Sequence, residues 1–555
     1  MLELLAMFFI GLAWLVPNHY PPWASFYNEN CAAAGLLLLV AVTARQWRHV
    51  SSPNAAWVVV AVAAIPIVQW AFGLLAFSGD AWISSLYVLG LAAAIATGSA
   101  WAGQGGARNA AALLSGATLL ASLISCVLAL TQGLEVVGPS IYIVDSLPGE
   151  RPYANLAQPN NLATLIGMGV VGVLLLREQG RLGAWAAAAL MIVLLLGAGL
   201  TQSRTAMFFG PVIVAGLMMA RRRSVQLKTA TWSACLATAC HWLVTWAWPA
   251  IQGALLLQAP PLLNERTPGG GRLEVWPALL DSVSLAPWSG HGWLQVGAAV
   301  LAVSDQLSAA GGIWLHGHNL FLELLIWCGY PLGLALIALI LYWFVSRARR
   351  VASVEAMSGL LVVAVFGVHT MLELPHHYAY FLIPVGLWIG QVEFARGAPG
   401  NVAPGWGVAP AAFALVLLSL IWRDYRALEE DFRLVRFENL RIGTPQEGQR
   451  SPEAPVMSSL TGFLRFARTT PVAGMSPAEL ASLEAVARRY PYAPSLARLA
   501  SAWALNGRLD DARQLFTKIR QIHGDGMYLK LRLDLRERVA EGQAGLSALE
   551  QSLPD

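Results

Sequence analysis

Long apolar runs recur along the first 422 residues of the chain, separated by short polar segments. A helix that crosses a bilayer needs about 20 mainly apolar residues, so each run predicts one spanning helix. The first run starts at Met1 without the charged region and cleavage site of a signal peptide, and we expect it to be retained. The thirteen predicted spans are centred near residues 9, 38, 66, 92, 122, 169, 193, 213, 240, 333, 362, 386 and 414.

The charged residues are concentrated at one end of the chain. Of the 555 residues, 56% are hydrophobic and only 12% are charged, about half the share of roughly 25% found in soluble proteins. Residues 423–555 contain 36 of the 68 charged residues, an ordinary share for a water-soluble domain. This distribution excludes a soluble enzyme, a fibrous protein and a disordered chain. We predict an all-α polytopic membrane domain over residues 1–422, with a large loop at about 249–317, followed by a helical domain over residues 423–555.

Arginine and lysine are distributed unequally between the two sets of alternating loops. Cytoplasmic loops carry the excess of these residues, so we expect a cytoplasmic N-terminus and a C-terminal domain on the opposite side of the membrane. In the inner membrane of a bacterium that side is the periplasm, and the large loop at about 249–317 would be periplasmic as well. The periplasmic loops hold only Arg151, Arg266 and Arg272. The basic residues of the cytoplasmic loops are Arg45, Arg48, Arg108, Arg177, Arg181, Arg221, Arg222, Arg223, Lys228, Arg347, Arg349, Arg350 and Arg396.

A repeat-like pattern lies in the C-terminal domain. Asn506-Gly507, Ala512 and Phe516 have the spacing of a tetratricopeptide repeat, in which a turn glycine separates two packed helices. One copy does not define a repeat array. We therefore expect a small helical domain with one or two TPR-like hairpins.

Five polar segments interrupt the apolar sequence. Structural explanations exist for some of them: a turn with an asparagine helix cap for the first, and an arginine that extends to the lipid headgroups for the second. In the predicted topology, however, all five lie at the periplasmic face, and ionisable groups at a bilayer usually line a cavity or pathway. We expect one shallow site with access from water and lipid. The segments are 153–161, 201–205, 271–276 with 289–292, 315–320 with Glu323, and 373–378.

The residue types in these segments suit transfer from a diphosphate to a hydroxyl group. Arginine donates paired hydrogen bonds to phosphate oxygens and stays charged, so it can stabilise a leaving diphosphate. Histidine titrates near neutral pH and can take the proton of an acceptor hydroxyl. The chain has no Asp-x-Asp pair, and His316 and His318 lack further ligands at zinc spacing, so we expect no metal and no cofactor. The net charge of +4 is spread out, which favours no nucleic-acid partner.

Three sequence patterns resemble those of one enzyme superfamily. His318-Asn319, followed after nine residues by Gly329, is similar to the signature of bacterial O-antigen ligases and O-linking oligosaccharyltransferases, although Tyr330 stands where an aliphatic residue is preferred. The segment Asn-x-x-Gln-Pro-Asn-Asn-Leu-Ala-Thr at 155–164 resembles a second hallmark of this O-antigen ligase, or Wzy-C, superfamily. The segment Glu-x-Pro-x-x-Tyr-Ala-Tyr-Phe-Leu at 373–382 resembles the PglL branch, the bacterial protein O-oligosaccharyltransferases.

This resemblance implies a GT-C-like ligase or polymerase fold and the metal-independent, inverting transfer of a whole glycan from undecaprenyl diphosphate. The acceptors would be serine or threonine hydroxyls of pilin or other periplasmic proteins. His318 is implied as the base, and Arg272 and Arg204 as contacts of the diphosphate. His316 lies outside the signature and is expected to matter less. The residues implied to shape the glycan and acceptor site are Gln158, Asn161, Asn319, Glu373, His377 and Tyr378.

Two other kinds of function stay open on the sequence. The same site would serve an O-antigen ligase, with lipid A-core as acceptor, or an O-antigen polymerase, with another repeat unit as acceptor. A flippase or transporter of lipid-linked sugars would form no bond. Transporters place polar groups near the membrane midplane in broken, repeated helices, and no such internal repeat is evident.

Overall fold

The computed structural model describes residues 1–44, 53–136, 138, 140–258, 271–307, 313–395, 408–440, 442 and 450–554. The regular secondary structure of these residues is helical, and their only bridge between extended residues joins Ser140 and Ile143. Arg45, Arg48, Arg266 and Arg396, which entered the topology prediction, lie outside the described residues. The chain divides into two compact units. Unit 1 comprises Met1–Ala63, Leu86–Arg266 and Leu339–Ser419, and unit 2 comprises Ala64–Ser85, Thr267–Ala338 and Leu420–Asp555.

The described helices are numbered in chain order. They are α1 (Leu2–Leu12), α2 (Phe26–Thr43), α3 (Asn54–Ala71), α4 (Ser78–Gly105), α5 (Ala107–Gly133), α6 (Pro159–Glu178), α7 (Ala184–Leu200), α8 (Phe209–Arg222), α9 (Thr231–Ala254), α10 (Arg272–Leu285), α11 (Val296–Ala302), α12 (Leu320–Ala348), α13 (Val354–Thr370), α14 (Ala379–Phe394), α15 (Val408–Asn439), α16 (Ser458–Arg468), α17 (Pro477–Arg489), α18 (Ala493–Leu505), α19 (Leu509–Ala540) and α20 (Ser547–Ser552).

Six helices of the described part, α2, α3, α4, α5, α6 and α12, are long and apolar enough to cross a membrane. Four shorter apolar helices, α1, α7, α13 and α14, accompany them. Each of the thirteen predicted span centres falls inside a helix, including those in α8, α9 and α15. The protein is therefore an all-helical polytopic membrane protein, whereas the number of thirteen spans stays a prediction. So does the domain boundary after residue 422, which falls within α15.

Unit 1 is built around α6, which packs against α5, α7 and α13. Most residues of α6 are buried, and its first turn is formed by polar residues that the other helices surround. Small residues allow close approach elsewhere in the unit: a Cβ on Gly98 or Gly390 would overlap the backbone of the neighbouring helix. Such contacts are typical of membrane helices, where packing rather than water exclusion holds helices together.

The C-terminal helices α16 to α20 share a hydrophobic core within unit 2. The chain turns between α18 and α19 at Gly507, which has a φ of +84°. Ala512 and Phe516 are 0% and 1% exposed and belong to the core of this hairpin. The helical hairpin expected at this position is thus present, while its classification as a TPR-like repeat stays a prediction.

Candidate functional site

His318 and Asn319 immediately precede α12, in unit 2. His318 has a φ of +49°, a left-handed conformation that histidine, asparagine and aspartate adopt more readily than other side chains. Its half-buried imidazole meets the ring of Trp314 edge to face, with 5.2 Å between centroids. The Asn319 side-chain oxygen accepts a hydrogen bond from the backbone N–H of Leu322 at 3.1 Å and so caps α12. The backbone and an aromatic neighbour therefore fix the direction of the His318 ring.

A buried carboxylate supports the same turn from inside α12. Glu323 is 0% exposed, and its Oε1 accepts a hydrogen bond from the backbone N–H of Gly317 at 2.8 Å. His316 Nδ1 lies 3.8 Å from the same oxygen. His316, which the sequence pattern alone ranks low, therefore stands beside a buried acidic group. Histidine and glutamate are common metal ligands, so the expected absence of a metal calls for a direct chemical test.

Gly329, the last residue of the His-Asn signature, marks a kink inside α12. Its φ is +71°, and a Cβ there would come within 2.5 Å of the Pro287 carbonyl oxygen. The loop after α10 crosses α12 at this point: Tyr330 N–H donates to Pro287 O at 2.8 Å and His291 N–H donates to Ile326 O at 2.7 Å. Only glycine fits such a conformation and approach without strain. The signature glycine thus lets the loop that follows α10 lie directly against α12.

Arg272 is the first residue of α10, and two contacts connect its surroundings to His318. Trp276, one turn further along α10, donates from Nε1 to the Gly317 carbonyl at 2.8 Å. A Cβ on Gly271 would lie 3.4 Å from the ring of Trp314, the same ring that meets His318. The Arg272 side chain is itself partly exposed. Unit 2 therefore brings the predicted base and one predicted diphosphate ligand into one locality, although the sequence separates them by 46 positions.

A second polar cluster lies at the start of α6, in unit 1. Gln158 is the N-cap, and its side-chain oxygen accepts from the Asn161 backbone N–H at 2.7 Å. Asn160 is buried and links the segments that contain Glu373 and Ser203. Its Nδ2 donates to Glu373 Oε1 at 2.8 Å, and its Oδ1 accepts from Ser203 Oγ at 2.6 Å. Three of the polar segments singled out in the sequence therefore meet at the entrance of α6.

Asn161 and Tyr378 belong to the same cluster. The Asn161 amide donates to the Tyr380 hydroxyl at 3.3 Å and also hydrogen-bonds with the Tyr378 side chain. The two tyrosine rings are stacked, with centroids 5.0 Å apart and planes 17° from parallel. Tyr380 is 1% exposed, so its ring supports that of Tyr378, which is only partly buried. The Tyr378 ring is thus a rigid aromatic surface beside the polar groups at the start of α6.

Arg204 and His377 lie in unit 1 close to these groups along the chain. Arg204 follows Ser203 and is partly exposed, and the turn before it contains Gln202 with a φ of +45°. Arg151 Nη1 donates to the carbonyl of Gln202 at 3.4 Å, so a second arginine supports this turn. His377 lies in the short 3-10 turn Pro375–His377, with its ring 4.5 Å from that of His376.

Asn155 holds the segment that leads into α6, which agrees with a structural role for the first part of the 153–161 segment. Its Nδ2 donates to the carbonyls of Leu15 at 2.8 Å and Tyr142 at 2.9 Å, and its own carbonyl accepts from His19 Nε2 at 2.7 Å. Burial lowers the pKa of His19 and this hydrogen bond opposes the shift. Burial also raises the pKa of Tyr153, with the nearby carboxylates adding to the shift.

Sequence reasoning missed Glu29, a 6% exposed acid inside α2. Its Oε1 accepts from Ser25 Oγ at 2.5 Å and its other oxygen from the Tyr87 hydroxyl. Tyr87 in turn stacks with Trp23 at 6.3 Å between centroids. A carboxylic acid within an apolar run is costly unless satisfied, and that cost was the available signal. The α2 helix packs against α14, which carries Tyr380.

The chain resembles known proteins over its full length. It is 30% identical over 579 aligned positions to a protein of Acinetobacter baylyi named "General O-oligosaccharyltransferase", with 100% of this chain and 96% of that protein covered. It is 28% identical over 391 positions to the "ComP-specific O-oligosaccharyltransferase" of the same organism, with 70% of each chain covered.

Two family models match parts of the chain. One, described as "Protein glycosylation ligase", matches residues 152–176, which include Gln158 and Asn161. The other, described as "Virulence factor membrane-bound polymerase, C-terminal", matches residues 357–532, which include Glu373, His377 and Tyr378. His318 and Arg272 lie outside both of these matches and within the full-length similarity.

Proposed function

Because the chain belongs to the family of bacterial O-oligosaccharyltransferases, we propose that it transfers a whole glycan from undecaprenyl diphosphate to serine or threonine hydroxyls of pilin or other periplasmic proteins. It is a membrane-bound glycosyltransferase. One observation carries the proposal: the chain is 30% identical to a general O-oligosaccharyltransferase, and the alignment covers nearly the full length of both proteins. The match of the start of α6 to a protein glycosylation ligase model supports a protein acceptor.

His318 is the proposed base. It takes the proton of the acceptor hydroxyl while that oxygen bonds to the anomeric carbon, the bond from this carbon to the diphosphate oxygen breaks, and the configuration inverts. Histidine as a residue type suits this step because an imidazole can accept a proton near neutral pH. The edge contact with Trp314 and the Asn319 cap support the role, since both limit the motion of the residue.

Arg272 and Arg204 are the proposed ligands of the diphosphate. The diphosphate carries one negative charge on each phosphate before transfer and gains another on its terminal oxygen as the bond to the anomeric carbon breaks. Guanidinium groups bind such oxygens in pairs without losing their proton. Stabilising charge as it develops accelerates the step itself, not only substrate binding. The position of Arg272 at the start of α10 supports this role, because the N–H groups of a helix N-terminus also favour anions.

The remaining predicted residues are proposed to shape the glycan and acceptor site. Gln158, Asn161 and Glu373 offer amide and carboxylate groups for sugar hydroxyls, and Tyr378 offers an aromatic face. His377 and Asn319 are proposed to belong to the same substrate-binding set. No metal or cofactor enters the proposed reaction.

The proposed setting is the bacterial inner membrane, with thirteen spans, a cytoplasmic N-terminus, and both the active site and the C-terminal domain in the periplasm. The asymmetry of arginine and lysine between loops supports this orientation. A GT-C-like ligase fold with a TPR-like C-terminal domain is part of the same proposal.

A polymerase is the second candidate, because a virulence-factor polymerase model matches residues 357–532. It would use the same donor and chemistry with another lipid-linked repeat unit as acceptor. An O-antigen ligase acting on lipid A-core differs in the acceptor alone.

The deciding experiment supplies the purified full-length protein with lipid-linked oligosaccharide, a pilin-type protein and lipid A-core together. Glycan on the protein, absent with the His318→Asn variant and retained in the presence of EDTA, is the expected result. Glycan on lipid A-core alone indicates a ligase, and elongated lipid-linked glycan indicates a polymerase. Loss of activity with EDTA would contradict the metal-free mechanism. If none of the acceptors receives glycan, a transporter of lipid-linked sugars is the class that remains.

A further inference from the structure

A buried ion pair joins the C-terminal helices to the start of α4 within unit 2. Arg489 Nε donates to Asp80 Oδ2 at 2.7 Å, and the two side chains are 13% and 5% exposed. The guanidinium also lies over the ring of Tyr490, 4.8 Å from its centroid. Burial is the largest single influence and works to lower the pKa of Arg489, but the charge of Asp80, its hydrogen bond and the neighbouring tyrosines together shift the pKa upward. Removing one partner of a buried ion pair leaves the other charge buried and uncompensated.

Backbone contacts surround this pair on the side of α4. Ser458 Oγ, at the start of α16, accepts from the backbone N–H of Gly79 at 2.8 Å and lies 3.2 Å from Ser78 Oγ. Phe77 packs into the core of the C-terminal helices, and a Cβ on Gly462 would lie 2.9 Å from its ring. The first turn of α4 and Phe77 before it are thus held by side chains, a backbone hydrogen bond and apolar packing together.

The same C-terminal helices contact α11 on another side. Gly297 faces Pro491 so closely that a Cβ would lie 2.9 Å from the proline ring. Lys518 Nζ donates to the carbonyl of Leu301 at 2.8 Å. These contacts are specific for the backbone of α11, since a carbonyl and a glycine are the partners.

The α11 helix and the start of α4 are both connected to the segments around His318. The start of α4 follows α3 after residues 72–77. The α11 helix packs against α10, which begins at Arg272 and reaches Gly317 through Trp276. Gln69, in α3, donates to the Trp327 carbonyl at 2.7 Å and accepts from the Trp293 N–H at 2.8 Å, so it joins α12 to the loop between α10 and α11.

We propose that the C-terminal domain braces the catalytic segments, and that Asp80 and Arg489 are positioning residues for the transfer reaction. This inference rests on the proposed function of His318 and Arg272. A domain that only recruits acceptor proteins needs no buried ion pair and no backbone contacts with α11 and the first turn of α4. A brace needs them, because misplacing catalytic groups by about 1 Å costs as much as 10²-fold in rate.

The test compares Asp80→Asn, Arg489→Gln and the charge exchange Asp80→Arg with Arg489→Asp. The matched control is Arg508→Gln, which removes the exposed partner of Asp511 in the same domain, where the side chains are 42% and 46% exposed. Purified full-length proteins are assayed for kcat and KM with a pilin-type protein and with a short serine-containing peptide of it. Melting curves and gel filtration report folding.

We expect both single variants to lower kcat at least about tenfold for both acceptors, with KM within about twofold of the wild type. The charge exchange should recover most of kcat, and Arg508→Gln should behave as the wild type. A rise in KM for the protein acceptor with kcat unchanged would overturn the brace in favour of acceptor recruitment. Unchanged kcat in folded single variants would also overturn it.

If the single variants fail to fold, the charge exchange decides: a folded exchange variant with wild-type kcat supports the brace, and one that stays about tenfold slow contradicts it. An exchange variant that also fails to fold contradicts it as well, because the ion pair would then serve stability and not position. If the wild type transfers no glycan, the proposed function fails first, which is visible before any variant is compared.

Discussion

Trp276 Nε1 donates a hydrogen bond to the carbonyl of Gly317 at 2.8 Å, and this bond joins the helix that begins at Arg272 to the residue before His318. Trp276 and Gly317 are about 40 residues apart in the chain, and the rest of α10 and α11 lie between them. The bond is therefore a tertiary constraint on the geometry of two residues to which we assign chemistry.

Replacing Trp276 with phenylalanine should lower kcat by about fivefold with little change in KM. The variant keeps the aromatic surface and removes one hydrogen bond, worth roughly 1 kcal/mol. Trp242→Phe is the matched control, because that indole also donates to a backbone carbonyl, of Met207 at 3.1 Å, but in an exposed position of unit 1. Equal effects of both substitutions would remove Trp276 from the positioning of the site.

His318→Asn should abolish most glycan transfer, by about 10²–10⁴-fold, because the base is lost. Asparagine is preferred over alanine here since it tolerates the positive φ of this position. His316→Asn, two residues earlier, should retain most activity. Transfer rates of proteins with equal melting temperatures provide the comparison, and a stronger effect at His316 would reverse the assignment.

Arg272→Lys should reduce kcat/KM at least about tenfold, because an ammonium group keeps the charge but does not reproduce two parallel hydrogen bonds worth about 1.5–3 kcal/mol each. The same result is expected at Arg204. Arg513→Lys, at a half-exposed position of the C-terminal domain, serves as the control. Near-normal kinetics with lysine at either predicted position would exclude that residue from the diphosphate site.

Gly329→Ala should destabilise the protein by at least about 2 kcal/mol, since positive φ costs about 1–3 kcal/mol for a non-glycine residue and overpacking adds to it. The new Cβ would also lie 2.5 Å from the Pro287 carbonyl oxygen. Gly367→Ala is the control, because a Cβ at that position would meet no atom of the described residues within 4 Å and alanine favours a helix. Thermal unfolding of both variants checks the difference; similar melting temperatures would contradict the close approach.

Stability should depend on pH through His523, in α19. Burial lowers its pKa, against the hydrogen bond that its Nε2 makes with the Pro491 carbonyl at 3.0 Å. Because the folded pKa is the lower one, the unfolded chain binds the proton first, so this stabilisation is present above the ordinary histidine pKa and is lost as pH falls through the folded value. Melting temperatures at about pH 7.5 and about pH 5 should therefore differ more for the wild type than for His523→Gln. Identical pH dependence would exclude His523 as a contributor.

The sequence by itself determined the class of the protein, the positions of its apolar helices and the local motifs. A run of about 20 apolar residues is satisfied by a helix whatever surrounds it, which is why each predicted centre falls in a helix. The turn at Gly507 was also readable, because turns depend on residues that are neighbours in the chain. The cap of α6 was expected to be an asparagine, whereas the structure has Gln158 at that position.

Only the tertiary structure decided which distant groups meet. No local rule relates Asn160 to Ser203 and Glu373, or Arg489 to Asp80, since these contacts depend on how helices pack. The reason Gly329 must be glycine became visible only when the Pro287 carbonyl was found against it. Glu29 was overlooked for the same reason. Its carboxylate accepts hydrogen bonds from Ser25 and Tyr87, and only helix packing brings Tyr87 close to it.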